Sequence, residues 1–121
     1  MVRERLLWTV QDETLEQHDL IDSMLELFES ADPPLTADVF MRQCEACMNH
    51  DTADRLHQIR QPTLVICGRR DTLAPPRMHR ELADEIPDAR LVTIGYGGHL
   101  VMMESTRHFN RTVLQFLAEE T

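Results

Sequence analysis

The sequence predicts an α/β fold, and three observations predict it. Pro62-Thr-Leu-Val-Ile-Cys67 is a continuous apolar, β-branched run, the pattern of a strand buried on both faces of a parallel sheet. A second β-rich run, Arg90-Leu-Val-Thr-Ile94, follows after a stretch with helical spacing, so the two strands are joined by a crossover rather than a hairpin. The texture of the chain also changes near residue 58: before it only helical spacing is found, after it short β-rich runs with Gly and Pro. Charge divides at the same place. Residues 1–58 carry 13 acidic residues and 4 Arg, whereas residues 59–121 carry 8 of each. The expected organisation is a helical segment, 1–58, followed by a β-α-β-α segment, 59–121, within a length that suits one domain.

In the first segment, Arg3 to Val10 reads as a short helix carrying Leu6, Leu7 and Trp8. Asp19 is the expected N-cap of a helix running to about Ala31, with Leu20, Ile21, Met24, Leu27 and Phe28 on one face and Pro33-Pro34 stopping it. Thr36 is the next N-cap, opening a helix to about Asn49 with Val39, Phe40, Cys44 and Cys47 inward. Asp51 caps a last short helix through Leu56. Helices this short need a surface to pack against.

In the second segment, Gly68-Arg-Arg-Asp71 is a turn at the C-terminal end of the first strand. Pro76 suits the first position of a helix, in which Met78, Leu82 and Ile86 read as inward and which Pro87 ends. Gly95-Tyr-Gly-Gly-His99 is a loop at the C-terminal end of the second strand, rich enough in Gly to adopt positive φ. Ser105 caps a final helix with Phe109, Val113, Phe116 and Leu117 inward.

Composition narrows the function. A net charge of −9 argues against a nucleic-acid binder, which needs a cationic face. All 12 basic residues are Arg, so no Schiff-base or P-loop lysine exists in this chain. No apolar run approaches the ~20 residues of a membrane span, and the start has no signal-peptide pattern. Three cysteines with no such signal suggest reduced thiols and a cytoplasmic protein. Cys44-x-x-Cys47, with His50 and His57 downstream, could be a metal or redox pair. It lacks four ligands at recognised spacing, and its helical stripe reads as packing, so no metal and no cofactor are expected.

Asp71 and His99 carry the chemistry. Both follow the C-terminal ends of strands joined by one crossover, which puts them on the edge of the sheet where open α/β folds place their sites. A carboxylate beside an imidazole fixes its tautomer and stabilises its protonated form. The competing reading is that both are ordinary polar loop residues.

A series of residues then resembles a known family. It runs Leu56-x-x-Ile59-x-x-Pro62-Thr-Leu-Val-Ile-x-Gly68-Arg-x-Asp71, then Pro75-Pro76, Ile86-Pro87-x-Ala89-Arg-Leu-Val, Gly97-Gly98-His99, Glu104, Phe109-Asn110 and Phe116-Leu117. This order resembles the C-terminal part of the α/β-hydrolase superfamily, most closely its cap-bearing branch of ester, lactone and carbon–carbon bond hydrolases. The resemblance covers residues 51 to 119. It is looser before that, resting on Trp8 and Asp51-Thr52, where that branch carries its helical lid. It implies that Asp71 is the triad acid and His99 the general base, acting on a small-molecule substrate. The family's nucleophile sits in Gly-x-Ser-x-Gly. Here serine occurs only at 23, 30 and 105, none in that motif, and the His-Gly loop of the oxyanion hole is also missing.

The leading expectation is therefore part of a hydrolase, with acid and base but no nucleophile, inactive alone. The alternative is a non-catalytic binding or interaction module that keeps a remnant of the fold. A third reading is a small enzyme in which Asp71 and His99 act on water. In the family, a further strand lies beside residues 63–67, and no such strand can be read from this chain. The uncharged apolar edge predicts a homodimer or a partner supplying the missing N-terminal half, unless the helices of residues 1–58 fold over it.

Overall fold

The computed structural model describes residues 2–30 and 36–119. In chain order it contains helices α1 (Val2–Thr9), α2 (Asp12–Leu15), α3 (His18–Ser30) and α4 (Ala37–Met48), then a 3₁₀ turn (Ala53–Gln58). Strand β1 (Thr63–Gly68), helix α5 (Pro76–Glu85), strand β2 (Ala89–Ile94), helix α6 (Val101–Glu104) and helix α7 (Thr106–Glu119) follow. Among the described residues the sheet has two strands, and they are parallel, with Thr63 opposite Ala89 and Gly68 opposite Ile94. β1 leaves Pro62 out and gains Gly68, and β2 gains Ala89 before its β-rich run, because both residues still fit the ladder.

Side chains alternate across a strand, so Leu64 and Val92 share a face with Arg90. On that face α7 leaves an open cleft of about 260 Å³ lined by these residues with Thr112, Gln115 and Phe116. Arg90 lies over the Phe116 ring, 5.2 Å from its centroid, and pairs with Glu119 at 2.7 Å. That ion pair holds the Glu119 carboxyl below its ordinary range. Val65 and Cys67 point to the opposite face and are buried, and α5 packs on both strands.

The main apolar core lies away from the sheet. Leu6 and Val10 meet Met24 and Leu25, with Leu15, Leu20, Ile21 and Phe28 packed around them. Leu100 and Met103, which follow His99, join the same cluster. Burying side chains of this size contributes roughly 1.5–3 kcal/mol each. The helical segment and the loop after β2 thus share one core.

Several local expectations are corrected. The helix expected to start at Asp19 begins at His18, because the Gln17 carbonyl already accepts the Ile21 N–H at 3.0 Å. Its buried face holds Met24 and Leu25, while Leu27 is exposed. The turn Asp12–Leu15 was hidden by its strongly polar start. Pro33-Pro34 and Ala31 lie outside the described residues. Thr36 does cap α4, accepting the Val39 N–H at 3.4 Å, and Asp51 accepts the Ala53 N–H at 3.1 Å. Yet α4 buries none of its side chains: Phe40 and Cys47 are exposed, and Val39 and Cys44 are only half-buried. The stripe is amphipathic, but the described residues do not bury it.

Helix α5 turns a different face inward from the one expected. His79 and Ala83 are half-buried above buried Ile86, whereas Met78 and Leu82 stand exposed on its flank. In α7, Phe109, Val113 and Phe116 are half-buried, but Leu117 is exposed. Two strands are too narrow to cover both helices. Ser105 stands at the N-cap position of α7, its carbonyl accepting the Phe109 N–H at 2.9 Å, but its hydroxyl donates to the Tyr96 carbonyl at 2.7 Å instead of capping the helix. Of the loop glycines, Gly97 alone has a positive φ, 134°. No described helix is long and apolar enough to cross a membrane.

The tightest contact lies where β1 ends. A Cβ on Gly68 would sit 2.3 Å from the carbonyl oxygens of both Gly97 and Gly98. Both are backbone atoms that cannot rotate away. Gly68→Ala should therefore lose about 3 kcal/mol or more in denaturant unfolding, as over-packing against fixed atoms does. Gly95→Ala is the control: its Cβ would meet nothing within 4 Å, so its unfolding midpoint should stay within the small range of a surface change.

Candidate acid–base site

The parallel pairing brings the two C-terminal loops together. The Arg69 N–H donates to the Ile94 carbonyl at 2.9 Å, and the Arg70 N–H to the Gly97 carbonyl at 3.1 Å. These bonds continue the ladder past the strands and lay residues 69–71 against the 95–99 loop. Asp71 and His99 meet there, with His99 Nδ1 3.0 Å from Asp71 Oδ2.

The two partners differ in exposure. Asp71 is buried, its side chain 4% exposed, while the His99 side chain is 43% exposed. The other oxygen of Asp71, Oδ1, accepts the N–H groups of Leu73 at 3.0 Å and Ala74 at 2.9 Å. Two backbone donors therefore pin the carboxylate and aim Oδ2 at the ring. A carboxylate at Nδ1 selects the tautomer with its hydrogen on that nitrogen. Nε2 is then left with a lone pair and can take a proton, and the ionised Asp71 would stabilise the imidazolium so formed.

A second polar cluster lies beside the pair. Glu104 Oε1 accepts from the Gln11 N–H at 2.9 Å and the Thr14 hydroxyl at 2.7 Å. Its Oε2 accepts the Gly98 N–H at 2.6 Å. Gln11 Oε1 accepts the Gly97 N–H at 2.9 Å. The Tyr96 hydroxyl lies 3.1 Å from Thr14 Oγ1 and also accepts from Gln17 Nε2. Arg70 pairs with Asp12 at 3.1 Å and with Glu13 at 3.3 Å. Two more links run from α1: the Thr72 hydroxyl donates to the Trp8 carbonyl at 3.3 Å, and the Leu100 N–H to the Thr9 carbonyl at 2.9 Å. Residues 8–17 thus lie over the loops at the C-terminal edge of the sheet.

Both sequence-derived site residues, Asp71 and His99, are brought together. Glu104 stands in the motif series without an assigned partner, and Gln11, Thr14 and Tyr96 carry no catalytic signature of their own. Their only sequence signal is Glu104 five positions after His99. The three cysteines are free thiols, and no group of three or more His, Cys, Asp or Glu among the described residues could hold a metal ion.

A parallel β-α-β unit with an aspartate after one strand and a histidine after the next defines a class. The chain belongs to the alpha/beta hydrolase fold family, which matches residues 3–106, and corresponds to the C-terminal part of that fold. It is 35% identical over 117 residues to the "Putative carbamate hydrolase RutD" of Serratia proteamaculans, a match that covers 96% of this chain and 43% of that protein. Two solved structures superpose closely. A thermophilic esterase from Thermogutta terrifontis gives a TM-score of 0.83 at 25% identity, with 99% of this chain and 44% of that one covered. An enol-lactonase from Burkholderia xenovorans LB400 gives 0.82 at 27% identity, with 97% and 44% covered. The chain spans less than half the length of the relatives it matches.

The tautomer is directly measurable. By ¹⁵N-resolved NMR of the imidazole, neutral His99 should carry its hydrogen on Nδ1. In Asp71→Asn the amide NH₂ can turn toward the ring, and the hydrogen should move to Nε2. An unchanged tautomer would mean that Asp71 does not orient the ring.

Proposed function

We propose that this chain supplies the acid and the base of a nucleophile–His–Asp triad in an α/β-fold hydrolase. Asp71 is the acid and His99 the general base. The reaction is hydrolysis of an acyl bond, in the range spanned by the esterase, lactonase and carbamate hydrolase named among its relatives. The observation that carries this reading is the 3.0 Å contact between His99 Nδ1 and a nearly buried Asp71, with the His99 side chain 43% exposed.

His99 Nε2 would take the proton of a nucleophilic hydroxyl as that oxygen attacks the substrate carbonyl. It would return the proton to the leaving group, leaving an acyl-enzyme. Water would then attack with the same nitrogen as base, releasing the acid and the free nucleophile. No Gly-x-Ser-x-Gly occurs in this chain, so the nucleophile and the oxyanion-hole donors must come from other residues of the complete fold. On this reading the isolated chain is inactive.

The missing strands would lie beside β1, whose Leu64-Val-Ile-Cys67 run carries no charge. A bare edge of that kind is a template for another chain. In the complete enzyme it receives the preceding half of the fold. In isolation we expect two copies to pair through it as a homodimer, or to exchange their helical segments. The helical residues 1–58 then play the part of a lid over residues 59–121.

Reconstitution tests the reading. The chain should be co-expressed with an N-terminal half-hydrolase carrying Gly-x-Ser-x-Gly and assayed on p-nitrophenyl esters. Activity should appear only with both pieces. His99→Ala should then lower kcat by about a millionfold and Asp71→Asn by roughly ten-thousandfold. Turnover by the chain alone, abolished by the same substitutions, would instead favour a small enzyme acting through water. Binding of a ligand or partner without turnover in either format would favour the non-catalytic module. Light scattering tests association separately: a species near twice 14.1 kDa is expected, and a monodisperse monomer at high concentration would rule the dimer out.

A further inference from the structure

We infer that Glu104 and Gln11 are positioning residues for His99, so that residues 9–17 form a built-in part of the acid–base machinery and not merely a cover above it. The inference rests on the proposed role of His99 but is tested independently of it.

The His99 ring itself is lightly held compared with the main chain that carries it. Among the described residues the ring has one hydrogen-bond partner, Asp71, and its side chain is 43% exposed. Arg70 and Ser105 hold the carbonyls of Gly97 and Tyr96, while the main-chain N–H groups around His99 are held by Gln11, Glu104 and Thr9. The Gly97 N–H is held by Gln11 Oε1, the Gly98 N–H by Glu104 Oε2, and the Leu100 N–H by the Thr9 carbonyl. Glu104 is also tied to that segment through the Gln11 N–H and the Thr14 hydroxyl. One carboxylate therefore joins the residue before His99 to a stretch of chain some 90 positions away.

The approach is close as well as bonded. A Cβ on Gly98 would lie 3.0 Å from the Gln11 nitrogen, the Thr9 oxygen and the Val10 carbonyl carbon. Gly97 has φ of 134°, a conformation few other residues adopt. The backbone at Gly98 is thus pressed against residues 9–11 on one side, while the end of β1 holds it on the other. If the Gly97 and Gly98 anchors release, the His99 ring swings relative to a carboxylate that Leu73 and Ala74 keep still, and the 3.0 Å contact opens. Geometry errors of about 1 Å at such a contact are enough to matter for catalysis.

The readout is the hydrogen-bonded Nδ1–H proton of His99, observed by NMR in the chain itself. Gln11→Leu and Glu104→Gln each remove or misdirect one acceptor, and in both its exchange with solvent should rise by about tenfold or more, the equivalent of one lost hydrogen bond. Gln11→Glu keeps an Oε acceptor for Gly97 and should restore slow exchange. Variants that melt earlier but leave the Nδ1–H signal unmoved would show a merely structural role and overturn the inference. The unmodified protein gives a second test that needs no variant. The Gly97 and Gly98 amides and the His99 Nδ1–H should open with the same free energy in mild denaturant. Ring exchange at a lower free energy, with both amides still protected, also overturns it. These outcomes are separate from the tautomer response to Asp71→Asn, which probes whether Asp71 and His99 form a working pair at all.

Discussion

Two backbones pass each other at Gly68 with no room for a methyl group, and the geometry of the sheet's C-terminal edge depends on that passage. The end of β1 lies against the carbonyls of Gly97 and Gly98, and a single added carbon would collide with both. Only this approach lets the Arg70 N–H reach the Gly97 carbonyl and places Asp71 beside the ring of His99. The strand pairing sets the coarse distance; the missing side chain sets the fine one. A glycine here therefore acts through what it leaves open, not through its flexibility.

Around that contact the protein satisfies its polar groups with one another. Asp71 uses one oxygen for backbone and the other for the imidazole. Glu104 spreads its two oxygens over two backbone N–H groups and a hydroxyl. Carboxylates bound in this way are costly to strand, since each partner left behind is a donor without an acceptor. The arrangement is correspondingly stiff, and it also explains how a polar edge can sit beside the apolar cluster that Leu100 and Met103 share with α1 and α3.

Much of the fold is legible in the sequence because its signals are local. Short β-rich runs, Leu64-Val-Ile-Cys67 and Leu91-Val-Thr-Ile94, mark the strands, Pro76 marks the start of α5, and the spacing between the strands allows only a crossover. Asp71 and His99 are legible because strand ends are, and the ends of parallel strands share an edge. Other features are not written locally. The inward face of α5 holds His79 and Ala83, neither of which advertises burial, while Met78 and Leu82 look buried and are not. Apolar residues mark surfaces that want cover, and a chain spanning under half of its relatives' length supplies cover for only some of them. The exposure of Phe40 and Leu117 has the same explanation. The Glu104 network is illegible for another reason: two of its partners are main-chain N–H groups, which have no spelling, and its links to Gln11 and Thr14 cross some 90 positions of chain.

The latch between α1 and the two loops has an optical consequence. The chain contains one tryptophan, Trp8. Its carbonyl accepts from Thr72, next to the acid, and the carbonyl of the following residue accepts from Leu100, next to the base. Trp8 is 66% exposed. All emission excited at the red edge of the ultraviolet band therefore comes from a single ring, fastened by its own main chain between the two halves of the pair and still open to solvent. Any body that settles over this edge of the sheet would shift the colour of that emission to the blue, so the protein carries an intrinsic lamp beside its acid–base pair.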